Sequence, residues 1–541
     1  MGTKIFGRPL AAGPVVYDDG KARIEALIEP VKGGHKITGT ARGRLGTVEI
    51  FRFPASGELL ANNWQSWGPM QPMRPGQRFE GLAERMDAQG PTVFSPVPDV
   101  ARERLVSDYF MAWEGGLAGF LTSKFAHPYF VIDGGEAVGY LEYFDTPFED
   151  PVLLEPLIVL DGHPVELVLE EYAVRAALEN DVRVNPWNPV GWSSWYQYFA
   201  GLKIEDVEKN LRLARDKFPF EVFQVDDGYE ADIGDWLSPK KGFCSLQDLA
   251  GLIRGHGFRA GLWTAPFCAS ESSELFARHP EWMVSDVGLS KFCFRGWNKA
   301  IYALDTMNPQ VKSRLFETFS ALTAMGFDFF KIDFVFAAAM AGARSRRVSP
   351  IQAYREGLAV IREAVGDAFV LGCGAPLLPS VGLVDGMRVG EDTAPFWDSS
   401  KAPLQGVNAY HALRNSFLRS FMHKKWWLND PDCLLLRSRD IELADNEREL
   451  YARSTGALDA MIIESDDLGL VDERGRSLLE EAVRLRGGHV RVRGLMSDGL
   501  YVVDSWGGPA GIFRYAANLS DAPRALGTLD IAPRTGMFVK P

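Results

Sequence analysis

Polar residues stand at the ends of several apolar runs in this sequence, where buried strands are expected to stop. The clearest case is FFKIDF at residues 329–334, in which Lys331 and Asp333 alternate with phenylalanine and isoleucine. Residues two apart on a strand share a face, so this lysine and this aspartate point the same way. Because burying an ion pair adds little net stability, the pair indicates a chemical role.

A second run, RVGED at residues 388–392, has the same arrangement. On a strand, Arg388 and Asp392 share a face, which brings a guanidinium group beside a carboxylate. A structural ion-pair network would produce the same pattern, so the run alone leaves both interpretations open. Two acids, each close to a fixed cation, resemble an acid/base pair whose pKa values are tuned by their surroundings.

Other polar or aromatic residues also follow apolar runs. They are Trp195, Asp226, Asp227, Trp263 and Cys373. Each has an ordinary structural interpretation when taken alone, because Asp-Asp-Gly is a common turn and a single cysteine is a common core residue. We interpret Asp430-Pro-Asp432 as a turn. The repeated placement of polar groups at strand ends favours a shared site.

The spacing of these residues fits a (β/α)₈ barrel. From residue 186 onward, apolar runs alternate with amphipathic stretches, which is typical of βα units around a parallel sheet. Eight strands are predicted, at 190–196, 221–227, 258–264, 327–333, 369–374, 386–392, 425–429 and 460–464. In such barrels the active site lies at the carboxyl ends of the strands, where the polar residues fall.

The flanking regions are predicted to be rich in β-structure. Residues 1–185 carry short apolar or alternating runs between turns, VELVLEEY at 165–172 among them, and are predicted to form an N-terminal β-sandwich. Residues 186–474 would form the (β/α)₈ TIM barrel and residues 475–541 a small antiparallel β domain. The predicted fold class is therefore multidomain, β and α/β.

Composition and charge argue against several classes of function. The chain has 541 residues and a net charge of −13, which disfavours nucleic acid as a partner. Its five cysteines form no CxxC pair, and an odd, sparse count fits a reducing cytoplasm. We expect no membrane association, since no signal-like segment or long apolar run is present. The absence of HExxH and GxGxxG motifs predicts neither a metal nor a cofactor.

Two carboxylates, aromatic residues and no metal motif point to glycoside hydrolysis. In that chemistry one carboxylic acid protonates the leaving oxygen while the other carboxylate attacks or activates water. Lys331 would bind a sugar hydroxyl and keep Asp333 ionised, as a nucleophile must be.

The motifs together resemble a known family. GWSSWYQYF, FQVDDGYEADIGDW, GLWTAPF, FFKIDF, LGCGAPLLPSVGLVDGMRVGEDTAPFW and WWLNDPDCLLLR, in this order, resemble the family 36 α-galactosidases of clan D of the glycoside hydrolases. NNWQSWGP at residues 62–69 resembles the compact bacterial members. The resemblance runs from about residue 5 to about residue 500.

The resemblance implies a retaining exo-α-galactosidase that acts on terminal α-galactosyl residues of oligosaccharides such as melibiose and raffinose. Asp333 would be the nucleophile and Asp392 the general acid/base. Asp226 and Asp227 would bind the 4- and 6-hydroxyls of galactose. The other residues that the resemblance implies at the sugar are Lys331 and Arg388 on ring hydroxyls, Cys373 near the 2-hydroxyl, and Trp67, Trp195 and Trp263 along the pocket.

Several alternatives remain open at this point. The nearest is an α-N-acetylgalactosaminidase or an α-galactosyltransferase on the same scaffold. Cys373 near the 2-position favours a plain hydroxyl there over an N-acetyl group, whereas transfer and hydrolysis stay open. More distant alternatives are a metal-dependent barrel enzyme and a sugar-binding protein without activity. A monomer and a homo-oligomer are both compatible with the sequence.

Overall fold

The computed structural model describes residues 3–398, 406–497 and 499–540. It contains a sheet-rich N-terminal region, a nearly closed parallel barrel and a strand-rich C-terminal region. The predicted fold class is confirmed. The domain boundaries at residues 185 and 474 stay predictions.

The N-terminal region is built on one 13-stranded sheet. Its strands are Lys4–Ile5, Arg8–Pro9, Gly13–Asp18, Ala22–Val31, Gly34–Pro54, Leu59–Asn62, Met70–Met73, Leu105–Asp108, Phe110–Trp113, Gly116–Phe120, His127–Asp133, Glu136–Leu153 and Leu157–Asp161. Two long strands, Gly34–Pro54 and Glu136–Leu153, pair antiparallel across the sheet. Over Ala22–Ile28 every second residue is buried, as expected for a strand with one face on the core.

Four helices interrupt this region: Leu82–Gln89, Pro91–Phe94, Pro98–Glu103 and Val165–Glu179. The prediction that VELVLEEY forms a strand is wrong, because this stretch begins the helix Val165–Glu179. Its buried positions, 165, 168, 169, 172, 173 and 176, recur at helical spacing and not at every second residue.

The barrel contains all eight predicted strands, and most end earlier than predicted. Barrel strands 1 to 8 are Val190–Ser193, Val222–Val225, Arg259–Thr264, Phe327–Ile332, Phe369–Gly372, Gly386–Arg388, Leu428–Asp430 and Ile462–Glu464. They pair in parallel, in chain order, and strand 8 pairs with strand 1. Between strands 7 and 8 the amide of Met461 donates to the carbonyl of Asn429 at 2.9 Å, which brings the circle close to closure.

Helices follow most of the barrel strands. The longer ones are Ile204–Lys217, Leu246–Gly255, Pro309–Met325, Pro350–Val365, Ala409–Leu418, Asp445–Ala457 and Glu473–Leu485. Five of them begin at a side-chain cap that accepts a hydrogen bond from an amide of the first turn; the caps are Ser245, Asn308, Ser349, Asn408 and Asp472. Shorter helices are Trp195–Tyr198, Phe199–Gly201, Glu274–Arg278, Pro280–Trp282, Val335–Ala339, Leu377–Ser380, Ser420–Met422 and Leu468–Leu470.

Two further features lie outside the barrel strands. After barrel strand 3 the chain forms a three-stranded sheet of Cys268–Ser270, Phe292–Gly296 and Lys299–Ala303 and a small hairpin of Ser285–Asp286 and Leu289–Ser290. Between barrel strands 5 and 6 the N-terminal region joins the barrel, where the amide of Leu377 donates to the carbonyl of Trp64 at 2.9 Å.

The C-terminal region carries a four-stranded antiparallel sheet of His489–Arg493, Leu500–Gly508, Gly511–Asn518 and Thr535–Val539, and a hairpin of Arg524–Leu526 and Leu529–Ile531. The helix Glu473–Leu485 spans the predicted boundary at residue 474 and packs against Asp445–Ala457. Among the residues that the structure describes, no helix is long and apolar enough to cross a membrane.

Candidate active site

A cavity of about 370 Å³ opens at the carboxyl ends of the barrel strands. Eight of the ten predicted site residues line it: Trp67, Trp195, Asp226, Asp227, Trp263, Lys331, Asp333 and Asp392. The other two, Cys373 and Arg388, are buried and contact lining residues. The structure therefore brings all ten together, as expected for a site at this end of a barrel.

Asp333 follows barrel strand 4 directly and is held by two donors. The indole Nε1 of Trp263 donates to its Oδ2 at 3.1 Å, and the amide of Phe334 donates to its Oδ1 at 2.8 Å. Burial raises the pKa of Asp333, while the charge of Lys331 and the bond from Trp263 lower it. These donors oppose the desolvation of the carboxylate.

Lys331, predicted to bind a sugar hydroxyl and to keep Asp333 ionised, forms its hydrogen bond to Asp226. Its Nζ donates to Oδ2 of Asp226 at 2.9 Å, and Gln224 donates to the same oxygen at 2.6 Å. Lys331 still acts on Asp333 through its charge. Lys331 stands on barrel strand 4 and Asp226 follows barrel strand 2, so their side chains meet across strand 3. Because both are buried, each compensates the other's charge.

Asp227 is bound by a residue that the sequence analysis missed. The indole Nε1 of Trp297 donates to its Oδ2 at 2.6 Å. Trp297 lies in the turn between Phe292–Gly296 and Lys299–Ala303, so no strand-end pattern marked it. Nearby, burial and the charge of Asp227 raise the pKa of Glu230.

Arg388 pairs with two carboxylates. Its Nη1 lies 2.9 Å from Oδ1 of Asp432, and its Nη2 donates to Oδ1 of Asp392. The sequence analysis placed Asp392 on the strand predicted over 386–392. Barrel strand 6 ends at Arg388, so Asp392 lies in the loop that follows it. Both terminal nitrogens of Arg388 thus face acids, and its role at sugar hydroxyls stays a prediction.

The sequence analysis assigned Asp432 only to a turn. In the structure its carboxylate is buried and pairs with Arg388. Turn geometry is present, because the amide of Asp432 donates to Oδ1 of Asp430 at 2.9 Å. The carboxylate also accepts bonds from the hydroxyl of Tyr196 and the amide of Thr393. Burial, which outweighs the opposing charge of Arg388, raises the pKa of Asp432 to about 6.

Trp67 reaches the cavity from the N-terminal region. Its Nε1 donates to Sγ of Cys373 at 3.4 Å, and its ring meets that of Phe334 edge-on at 4.9 Å between centroids. Gly374 has φ of +51°, and a β-carbon there would lie 2.8 Å from the Trp67 ring. Glycine at 374 is therefore required both by the backbone and by the close approach of the indole.

A buried guanidinium group ties the Trp67 loop to the barrel. Arg419 donates to Oδ1 of Asn62, to the carbonyl of Ser66 at 2.9 Å and to the carbonyl of Val389 at 2.9 Å. Ser66 precedes Trp67 in the chain, and Val389 follows Arg388. One side chain thus fixes both the tryptophan loop and the end of barrel strand 6.

Comparison with known proteins finds solved structures with the same fold and family models that match this sequence. The family model described as "Alpha-galactosidase, N-terminal" matches residues 27–161, and the one described as "Melibiase" matches residues 173–362. The α-galactosidase TtGalA from Thermus thermophilus, solved with p-nitrophenyl α-D-galactopyranoside, is 26% identical with a TM-score of 0.73, and the match covers 93% of this chain and 98% of that one. This chain belongs to the α-galactosidases of glycoside hydrolase family 36.

More distant members of family 36 share the fold. The α-galactosidase AgaA from Geobacillus stearothermophilus is 12% identical with a TM-score of 0.64, over 97% of this chain and 79% of that one. Among curated relatives, α-galactosidase Mel36A from Lactobacillus acidophilus is 25% identical over 158 residues, which are 28% of this chain. That alignment spans only 20% of the relative's own length.

In this family 36 chain the cavity is also lined by residues to which the sequence analysis gave no role. They are Arg85, Gln89, Val93, Phe94, Phe294, Arg295, Gly296, Trp297, Phe334, Phe336, Glu391 and Val407. The first four belong to helices in a region predicted to contain only β-structure, which is why they were missed. Within the described ranges no group of three or more His, Cys, Asp or Glu side chains is arranged to hold a metal ion.

Proposed function

We propose that this family 36 chain is a retaining exo-α-galactosidase that removes terminal α-galactosyl residues from oligosaccharides such as melibiose and raffinose. The observation that carries the proposal is the shared cavity, in which Asp333 and Asp392 lie with the acids Asp226 and Asp227. TtGalA, which matches 88% of this chain at 27% identity, has also been solved with stachyose, an observation that supports an oligosaccharide as the substrate.

In the proposed first step, a carboxylate oxygen of Asp333 attacks the anomeric carbon of galactose. Asp392 donates its proton to the glycosidic oxygen as the bond to the leaving group breaks. The two donors on Asp333, the indole of Trp263 and the amide of Phe334, orient the attacking carboxylate. The product of this step is a β-galactosyl ester of Asp333 and the free leaving group.

In the second step, Asp392 removes a proton from water, and the water oxygen attacks the anomeric carbon. The ester bond to Asp333 breaks, so α-galactose leaves and both carboxyl groups return to their starting state. Arg388, which contacts Asp392, supports the step in which that group is a carboxylate.

Selection of galactose over other sugars is assigned to Asp226, Asp227 and Lys331, which also line the cavity. Asp226 and Asp227 would accept hydrogen bonds from the 4- and 6-hydroxyls, and Lys331 would donate to a ring hydroxyl. Both acids are nearly fully buried and already hydrogen-bonded, to Lys331 and to Trp297. A sugar that leaves such groups unpaired is rejected strongly, because a buried charge without a partner is costly. Trp67, Trp195 and Trp263 would enclose the ring, with Cys373 near its 2-hydroxyl.

Proton NMR of the purified protein with p-nitrophenyl α-galactoside tests this function. We expect α-galactose as the anomer first released, because two displacements at one carbon retain configuration. Initial β-galactose would refute the nucleophilic role of Asp333. Turnover of the α-N-acetylgalactosaminide alone, or galactosyl transfer without hydrolysis, would replace the proposed reaction by one of the alternatives on this scaffold. Loss of turnover with a chelator would favour a metal-dependent enzyme.

We further propose a cytoplasmic location, a sandwich-type N-terminal domain over residues 1–185, a barrel over 186–474 and a C-terminal β domain over 475–541. The five cysteines are free in the structure, which is compatible with a reducing compartment. Fractionation of the source cells with antibody to the protein would test the location.

A further inference from the structure

Glu391, the residue before Asp392, forms a salt bridge to the N-terminal region. Its Oε1 lies 2.7 Å from Nη1 of Arg85, on the helix Leu82–Gln89. The two side chains are 5% and 13% exposed, and the guanidinium carbon of Arg85 lies 4.4 Å from the centre of the Phe94 ring. The pair therefore has a fixed, largely desolvated geometry beside the cavity.

The second carboxylate oxygen of Glu391, Oε2, shows how far the position of this carboxylate depends on Arg85. Oε2 is buried and has no hydrogen-bond partner within the described ranges. Nδ1 of His411 lies 3.9 Å from Oε2, beyond hydrogen-bonding distance, and burial lowers the pKa of this imidazole. Among the described residues, Arg85 is thus the hydrogen-bonding partner of the Glu391 carboxylate. Because a buried pair of this kind adds little net stability, geometric control is the better explanation for it.

The backbone around Asp392 is tied to the barrel on both sides. The carbonyl of Val389 accepts a bond from Arg419, and the amide of Thr393 donates to Asp432 at 2.7 Å. Between these two ties, the side chain of Glu391 connects the loop with the N-terminal helix. A shift of Glu391 would move the adjacent Asp392 along the cavity wall.

We propose that Arg85 and Glu391 are positioning residues, through which the N-terminal region fixes the place of the general acid Asp392. This role rests on the proposed function. Arg85 and Glu391 act through Asp392 and take no part in bond breaking. The substitutions that test the role are Arg85→Met, Glu391→Ala and the two combined.

The readout is the dependence of kcat/KM on the leaving group, measured with phenyl and p-nitrophenyl α-galactosides, which are similar in shape. Nitrophenolate leaves with little protonic assistance, whereas phenolate requires the acid. General acid catalysis contributes about 10²–10⁴-fold, so a displaced acid should lower kcat/KM for the phenyl galactoside roughly 10–100-fold. For the nitrophenyl galactoside we expect a loss of less than about threefold. The double variant should lose no more than either single variant, since both break one contact.

A second substitution displaces Glu391 without removing either charge. A β-carbon at Gly406 would lie 2.0 Å from Oε2 of Glu391, so Gly406→Ala must push the carboxylate aside. The same leaving-group dependence is expected. Glu391→Gln, which keeps the shape of the side chain and an acceptor oxygen, should retain most of the activity toward the phenyl galactoside.

Arg259→Met is the matched control. Arg259 also pairs with an acid, Asp328 at 2.8 Å, and also lies over an aromatic ring, that of Trp187 at 3.8 Å. It begins barrel strand 3, at the end of the barrel away from the cavity. Both aryl galactosides should be hydrolysed at the wild-type rate by this variant.

Equal losses on the two substrates, or no loss on either, would overturn the positioning role. If Arg85→Met does not fold, Glu391→Ala and Gly406→Ala carry the same decision, with Glu391→Gln as the variant that should stay active. If the wild-type protein hydrolyses neither aryl galactoside, the proposed function is refuted, and the positioning role is refuted with it.

Discussion

Nη1 of Arg388 lies 2.9 Å from Oδ1 of Asp432, and both side chains are 2% exposed. The same guanidinium group donates through Nη2 to Asp392, the proposed acid. Among the residues that the structure describes, Asp432 and Asp392 thus pair with the same guanidinium group. Arg388 thereby connects the buried acid of the Asp430-Pro-Asp432 turn with the loop that carries the proposed acid.

Asp432 should make stability depend on pH in the direction opposite to that of most aspartates. Its pKa is about 6 in the folded protein, above the ordinary value near 4. A raised pKa means that the folded state binds the proton more tightly than the unfolded chain. The contribution of Asp432 to the free energy of unfolding is therefore present below about pH 4 and is lost as pH rises through about 6.

Thermal unfolding of the wild type and of Asp432→Asn, followed across this range, checks the prediction. We expect the difference in Tm to shift in favour of the variant between about pH 4 and about pH 7. A difference that stays constant, or that shifts toward the wild type, would contradict the raised pKa of Asp432.

Azide should separate the roles of the two catalytic acids. With an activated aryl galactoside, Asp333→Gly plus azide should yield β-galactosyl azide, because azide takes the place of the missing nucleophile. Asp392→Gly plus azide should yield the α product, because azide then attacks the galactosyl ester. NMR of the isolated azides distinguishes the two. Exchanged products would mean that the nucleophile and the acid/base are assigned the wrong way round.

Trp263→Phe should shift the acidic limb of the pH profile upward. The substitution removes the indole donor that lies 3.1 Å from Oδ2 of Asp333 and lowers the pKa of that acid. Since a hydrogen bond to a charged group is worth about 1.5–3 kcal/mol, kcat/KM should fall roughly 10–100-fold. The apparent pKa of the acidic limb of kcat/KM should rise.

Trp236→Phe serves as the control for this prediction. Trp236 is buried, and its ring centroid lies 5.7 Å from that of Trp263, so its replacement perturbs packing without removing a bond to Asp333. An unchanged acidic limb in Trp263→Phe, or the same upward shift in both variants, would count against the indole as the group that keeps Asp333 ionised.

Trp297→Phe should weaken substrate binding more than turnover. The substitution removes the donor 2.6 Å from Asp227 and keeps an aromatic ring beside Phe334, 5.0 Å from the Trp297 ring. We expect KM to rise about tenfold while kcat changes little, because Asp227 is proposed to hold the sugar and not the reacting bond.

Trp187→Phe provides the matched comparison, because Trp187 also donates to a carboxylate, that of Glu221 at 3.0 Å, but outside the cavity. Its KM should equal that of the wild type. A fall in kcat at constant KM in Trp297→Phe would instead connect Trp297 with the chemical step.

Local sequence patterns were sufficient to predict the barrel. Each strand is a short apolar run, and the helices between them carry periodic apolar positions, so both signals lie within a few residues. The helix Val165–Glu179 was mistaken for a strand because VELVLEEY also contains apolar residues at alternate positions. Its true period becomes visible only over the longer stretch to residue 176.

The sequence by itself was enough to predict which residues carry the chemistry, because lysine, arginine and aspartate among apolar neighbours are costly unless they have a use. Only the tertiary structure decided which of them touch. Lys331 and Asp226 are 105 residues apart, and Arg85 and Glu391 are 306 apart. No local pattern encodes such partners, since the barrel sheet brings the first two together and the packing of the N-terminal region against the barrel brings the second two together. Lys331 therefore pairs with Asp226, Arg388 with Asp432, and the acid loop with a helix of the N-terminal region.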